Sequence, residues 1–69
     1  MRWCEEQRIA WIAETLRVFG FIKREHLRRK FHISFPQASN DLVLFRRIYP
    51  KAMRYDASRK CWVAEEPAP

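Results

Sequence analysis

In the stretch HISFPQASNDLVLF, residues 32–45, five side chains crowd the start of a helical pattern: Phe35, Pro36, Gln37, Ser39 and Asn40. A primary amide carries a donor beside an acceptor, so Gln37 and Asn40 have the chemistry to pair bidentately with N6 and N7 of adenine. Ser39 suits either base type, and Phe35 and Pro36 suit a thymine methyl or the sugar wall. Cations frame the stretch: Lys23, Arg24 and Arg28 precede it, Arg46 and Arg47 follow it closely, and Arg59 and Lys60 lie beyond. Such groups hold phosphate whatever the base sequence, giving affinity and salt dependence while base contacts give choice. Base-edge chemistry framed by phosphate chemistry points to double-stranded DNA as the partner.

Several of these residues also have a plainer use. Ser34 and Gln37 spell S-x-x-Q, a capping box in which each side chain satisfies the other's free backbone N–H. For Ser34 the cap comes first and a backbone phosphate second. Arg24 has two uses of equal weight, a phosphate contact or an ion pair with Asp41 that locks two helices. Asn40 has no structural use of this kind, which makes it the foremost base-reading candidate.

Other chemistries find less support. Cys4, Cys61, His26 and His32 are zinc-ligand types, but they form neither a C-x-x-C pair nor the finger spacing. They are read as ordinary thiols and histidines, with no metal and no cofactor. Paired carboxylates, a nucleophile–base set and a phosphate loop are all missing, so an enzyme is not expected. Lys and Arg number 14 against 8 Asp and Glu, a net charge of +6. From Arg17 to Lys60 there are twelve Lys or Arg against Glu25, Asp41 and Asp56, a balance of +9. A surplus spread over several elements of a small chain favours a polyanionic partner. No apolar run approaches the roughly 18 residues of a membrane span, and the start lacks the apolar core of an export leader. The expectation is a cytoplasmic protein with reduced thiols and no membrane contact.

The elements that must position these groups can be read from periodicity. Ile9, Ile12, Ala13, Leu16 and Phe19 recur at helical spacing and predict a helix over 3–19, stopped by Gly20, the only glycine. Glu5, Glu6 and Arg17 complement its dipole. After an extended Phe21-Ile22, residues 23–30 predict a short second helix anchored inward by Leu27 and Phe31, with Arg28, Arg29 and Lys30 turned to solvent. Ile33 turns inward in the connection. A third helix runs over 34–48, with Pro36 in its first turn and Pro50 beyond its end. Ala38, Leu42, Phe45 and Ile48 make its buried stripe; Pro36, Asn40, Val43 and Arg47 face outward, flanked by Gln37, Ser39, Leu44 and Arg46. The period then changes to two: Met53–Tyr55 and Lys60–Val63 flank Asp56-Ala57-Ser58-Arg59 as a hairpin with a basic tip.

Three helices followed by a β-hairpin wing, with a tight turn between the second and third, predict a winged helix-turn-helix, a mainly α (α+β) fold. It occupies residues 1–64, with 65–69 as a flexible acidic and proline-containing tail. A domain this small buries only about 60% of its unfolded surface. Trp11 and Val18, seven apart on the face away from the first helix's apolar stripe, are therefore read as a homodimer or partner face. The alternative is that the hairpin or the N-terminal segment covers them.

The chain also resembles the N-terminal winged-helix domain of bacterial WYL-domain transcriptional regulators, in particular the repressors of phage-defence gene clusters. The resemblance runs through Arg2-Trp3, then Gly20, Ile22, Arg24 and Leu27 in GFIKREHL. It continues through Phe31, Ile33 and Ser34 in FHIS, PQAS followed by Asp41-Leu42, Pro50, and RYDASRKCWVA. It implies a dimeric, sequence-specific repressor on an inverted repeat near a promoter. Ser34, Gln37, Ser39 and Asn40 would then lie on the recognition helix and Arg59 and Lys60 on the wing. The chain departs from that pattern at Asn40, where a basic residue is common, and at Leu44 and Phe45, which make the third helix more apolar. No WYL domain lies within these 69 residues, so ligand sensing is not carried over. A stand-alone regulator from a phage or mobile element and a fragment of a longer one both fit.

The leading expectation is a repressor that occludes a promoter. The alternatives are an excisionase-like architectural protein that bends DNA, and a module that captures a host or regulatory protein through Trp11, Val18 and Leu44.

Overall fold

The computed structural model describes residues 2–65, the side chain of Arg2 excepted. The order is α1 (Arg2–Phe19), β1 (Phe21–Ile22), α2 (Arg24–Phe31), α3 (Phe35–Ile48), β2 (Met53–Asp56) and β3 (Cys61–Ala64). Three helices and a hairpin wing are thus the architecture, as periodicity predicts.

Ile12, Leu16, Ile22, Leu27, Ala38, Leu42, Phe45, Ala52 and Met53 form one buried cluster, with Ile9, Ala13, Phe31 and Ile33 packed at its edge. Gly20 ends α1 in the left-handed region (φ +84°), its N–H donating to the Leu16 carbonyl at 2.9 Å. His32 ends α2 the same way at φ 55°, without a glycine's freedom. Lys23, expected inside α2, stands just before it; its backbone N–H donates to Nδ1 of His26 at 3.1 Å.

Two stripe residues are corrected. Phe19 is 69% exposed, because it falls in the row Trp11–Thr15–Phe19 along a groove between α1, β1 and α2 that stays open at that end. Ile48 is 49% exposed, since α3 ends there and Tyr49 packs on Phe45 instead, with ring centroids 5.1 Å apart.

The extended Phe21-Ile22 is a strand of the wing's own sheet. β1 pairs antiparallel with β3 (Phe21 with Val63, Ile22 with Trp62), giving the order β1-β3-β2. The hairpin register places Met53 opposite Ala64 and Asp56 opposite Cys61, so Asp56 joins a strand and Lys60, expected in one, lies in the turn. Glu65 is tied to the body: its N–H donates to Ala52 O at 2.9 Å, and its carboxylate lies 3.4 Å from Arg54 Nε. The remainder of the expected tail lies outside the described residues.

Candidate nucleic-acid interface

Ser34 begins α3 as its cap, its Oγ accepting from the Gln37 N–H at 3.2 Å. The reciprocal half of the expected box is not made. Gln37 Nε2 instead donates to Asp41 Oδ1 at 3.0 Å, because Asp41 is only 1% exposed and a buried carboxylate needs every donor within reach. Its other oxygen, Oδ2, accepts from Arg8 Nε at 2.6 Å, and Arg8 is itself 15% exposed. Asp41 is therefore held by Arg8 of α1, not by Arg24. Gln37, half-buried and bound inward, is less free to read a base than expected.

Arg24 turns outward. Its Nη1 donates to Ser39 Oγ at 3.2 Å, and its guanidinium carbon stands 5.1 Å from the centroid of the Phe35 ring. Arg28 stands over the same ring at 4.0 Å. It is half-buried rather than turned to solvent, its Nε buried with no hydrogen-bond partner among the described residues. Phe35 is 46% exposed. Pro36, Asn40, Val43 and Arg47 form the exposed row of α3 as expected, and no hydrogen bond engages the Asn40 amide among the described residues.

The wing stands beside this row. Lys23, Arg24, Ser39, Val43, Tyr55, Lys60 and Trp62 line one cleft between the start of α2, the middle of α3 and the sheet. Tyr55 and Trp62 meet edge to face at 5.1 Å, and Arg46 lies 5.4 Å from the Trp62 ring. These two aromatics are lining residues that periodicity did not single out. The signal was Tyr55 and Trp62 in paired strands, where cross-strand neighbours share a face. At the tip, Asp56 accepts from the Ser58 hydroxyl (2.7 Å), the Ser58 N–H (3.0 Å) and the Arg59 N–H (3.2 Å). The Ser58 hydroxyl, then the Arg59 N–H, hold its carboxyl below the ordinary aspartate range. Arg59 lies 5.7 Å from the Phe21 ring, and Lys60 takes a left-handed backbone at φ 56°. Arg59 and Lys60 are exposed at the tip, beside the basic start of α2.

The residues expected as a dimer face divide. Val18 is exposed, but Trp11 is half-buried, its ring edge-on to Phe31 at 5.7 Å; α2 covers it rather than the hairpin or the N-terminal segment. Cys4 is exposed on α1 and Cys61 is buried in β3, and both are free thiols. No helix among the described residues is long and apolar enough to cross a membrane.

A family model described as the BrxR transcriptional regulator winged helix-turn-helix domain matches residues 5–67. The DNA-binding transcriptional repressor CapW of Escherichia coli (strain KTE188) is 39% identical over 61 residues, 88% of this chain and 20% of that protein. Its namesake in Stenotrophomonas maltophilia is 34% identical over 64 residues, 93% of this chain and 21% of the relative. That of Pseudomonas aeruginosa is 35% identical over 65 residues, 94% and 22% respectively. The chain thus spans about a fifth of the length of the curated relatives it matches.

Proposed function

Since the chain belongs to the family of BrxR transcriptional regulator winged helix-turn-helix domains, we propose that it binds double-stranded DNA sequence-specifically and represses transcription by occluding a promoter. It acts by binding alone, without a chemical step, in the bacterial cytoplasm where that DNA lies. α3 enters the major groove from its N-terminal end, and the hairpin Met53–Ala64 grips the backbone as the wing. The observation that carries this is the exposed row of α3, with Asn40 free of hydrogen bonds among the described residues, standing between the arginines of α2 and the basic wing tip.

The roles follow from the contacts. Asn40 pairs with adenine, and Pro36 and Val43 meet thymine methyls. Ser39 holds Arg24 and reads a base only secondarily, and Gln37 supports the helix through Asp41. Lys23, Arg47, Arg59 and Lys60 hold phosphates, and Arg46 does so from its seat near Trp62. The relatives are named as DNA-binding transcriptional repressors, which supports both the partner and the sign of regulation. Two copies on an inverted repeat extend the few bases one module reads.

The test is fluorescence anisotropy on a labelled duplex from upstream of the protein's own gene against a shuffled duplex, at two salt concentrations. Tighter binding to the native duplex that persists at the higher salt supports a sequence reader. Binding to neither duplex overturns the proposal. Sedimentation of the complex on the native duplex decides between one copy and two.

A second reading has its own observation. Trp11, Thr15, Phe19 and Phe21 line an apolar groove rimmed by His26, Arg29 and Lys30, away from the cleft beside the wing. A protein-capturing module would use it, and Phe19→Glu would then abolish partner binding and leave DNA affinity unchanged.

A further inference from the structure

Phe35 reads from the sequence as a base contact, yet in the fold its ring is already engaged by two guanidiniums, those of Arg28 at 4.0 Å and Arg24 at 5.1 Å. Arg24 is steadied further by its hydrogen bond to Ser39. Arg28 has a buried Nε with no partner among the described residues. Among the described residues no carboxylate pairs with either arginine; Glu25, on the same helix, pairs with Arg29 instead. Two like charges gathered at one ring repel, and an aromatic face offsets only part of that repulsion. An anion completes such an arrangement.

We propose that Phe35 is a positioning residue, which clamps Arg24 and Arg28 in the pose that holds the DNA phosphates where α3 enters the groove. This rests on the DNA-binding function proposed above. Arginine side chains lose much rotamer freedom when they bind, and a pair held in advance loses less. The clamp joins α2 to the first residue of α3, so the phosphate contact also sets the depth of α3 in the groove. Phe35 thereby acts on affinity for any sequence, through the arginines, rather than on choice at one base pair.

The experiment compares Phe35→Leu and Phe35→Trp with the unmodified chain, by anisotropy on a labelled duplex pool of random sequence over a series of salt concentrations. Both variants keep a large apolar side chain at a nearly half-exposed position, and circular dichroism checks that they fold. In Phe35→Leu two arginines must be ordered anew on binding, which should weaken it about five- to hundredfold. One guanidinium released from its phosphate should also lower the slope of log K against log salt by about one. Phe35→Trp, which keeps a cation-binding face, should restore both. In free protein, the Arg28 Nε–Hε resonance should be protected from exchange, lose protection in Phe35→Leu and keep it in Phe35→Trp. An unchanged salt slope in Phe35→Leu, with lost discrimination at one selected base pair, would return Phe35 to base reading and overturn the clamp alone. If the unmodified chain binds no duplex, the clamp's role falls together with the function it rests on.

Discussion

Replacing Asp41 by alanine removes the acceptor that Arg8 of α1 and Gln37 of α3 share. Arg8 is 15% exposed, so its guanidinium is left without its carboxylate in a site that water reaches poorly. Breaking a buried pair from one side costs about 3–5 kcal/mol, mainly through the charge left behind. A chain of 69 residues has a total stability of about 3–10 kcal/mol at the usual 0.05–0.15 kcal/mol per residue. Asp41→Ala should therefore use up about three-tenths or more of that stability. The melting temperature should fall by at least about 12 °C, at 4–8 °C per kcal/mol for a domain of this size. Arg8→Leu should cost a similar amount by stranding the carboxylate. The double variant Arg8→Leu with Asp41→Leu, which removes both charges and refills their volume, should recover most of the loss. Urea unfolding followed by circular dichroism measures these chains together with Asp41→Leu alone, which closes the cycle with Arg8→Leu and the double variant. If Asp41→Ala loses under about 1 kcal/mol, a value typical of exposed pairs, the pair is not buried in the sense argued. If the double variant loses the sum of the singles, the two charges are not coupled.

Asn40→Ala should lower discrimination at one base pair by about 1–3 kcal/mol without changing stability, whereas Gln37→Ala should cost about 1.5–3 kcal/mol of stability, the worth of a hydrogen bond to a charged group. Competition binding on a selected site and on single-base variants, beside urea unfolding, separates the two; equal losses of discrimination would refute the assignment of Gln37 to Asp41. Lys60→Gly relieves a left-handed backbone and should raise stability by about 1 kcal/mol, while weakening DNA binding and lowering its salt slope by about one. His32→Gly should give a similar gain in stability at the end of α2 and leave DNA binding unchanged, as calorimetric melting and anisotropy will show. The depressed Asp56 pKa means that its contribution at the wing tip is present above the unfolded value of about 3.9 and is lost as pH falls through the lower folded value. The amide shifts of Ser58 and Arg59 should titrate with a midpoint below that value, and a midpoint at or above it would contradict the hydrogen bonds described.

Periodicity carried most of this architecture, because each helix has a buried stripe and a stop: Gly20 after the first, and Ser34 and Pro36 at the entrance to the third. The hairpin was legible from its period of two. Phe21-Ile22 was legible as extended but its pairing was not, since two residues are too few to show alternation and the partner strand lies far along the chain. The Arg8–Asp41 pair was within reach. Arg8 precedes Ile12 by one helical turn, and Asp41 stands between Ala38 and Phe45, so two opposite charges sit in facing apolar stripes. Scoring stripes by hydrophobicity alone discards such a pair. The outward row Pro36, Asn40, Val43 and Arg47 was legible because an exposed face follows from the buried one. The partners of Gln37, Arg24, Arg28 and Phe35 were not, since reach and rotamer decide among several nearby groups.

The pairing of β1 with β3 bears on how the domain comes into being. Phe21 and Ile22 directly follow α1, yet the strand that completes their ladder, Cys61–Ala64, is made only after α2, α3 and β2. Until it arrives, the helices can dock through short-range contacts, while β1 waits with unpaired backbone groups. Closing a loop of that length carries the entropic cost that slows non-local pairing. The wing is thus the latch of the fold as well as the proposed grip on DNA, and a nascent chain halted before Cys61 would hold α3 with neither.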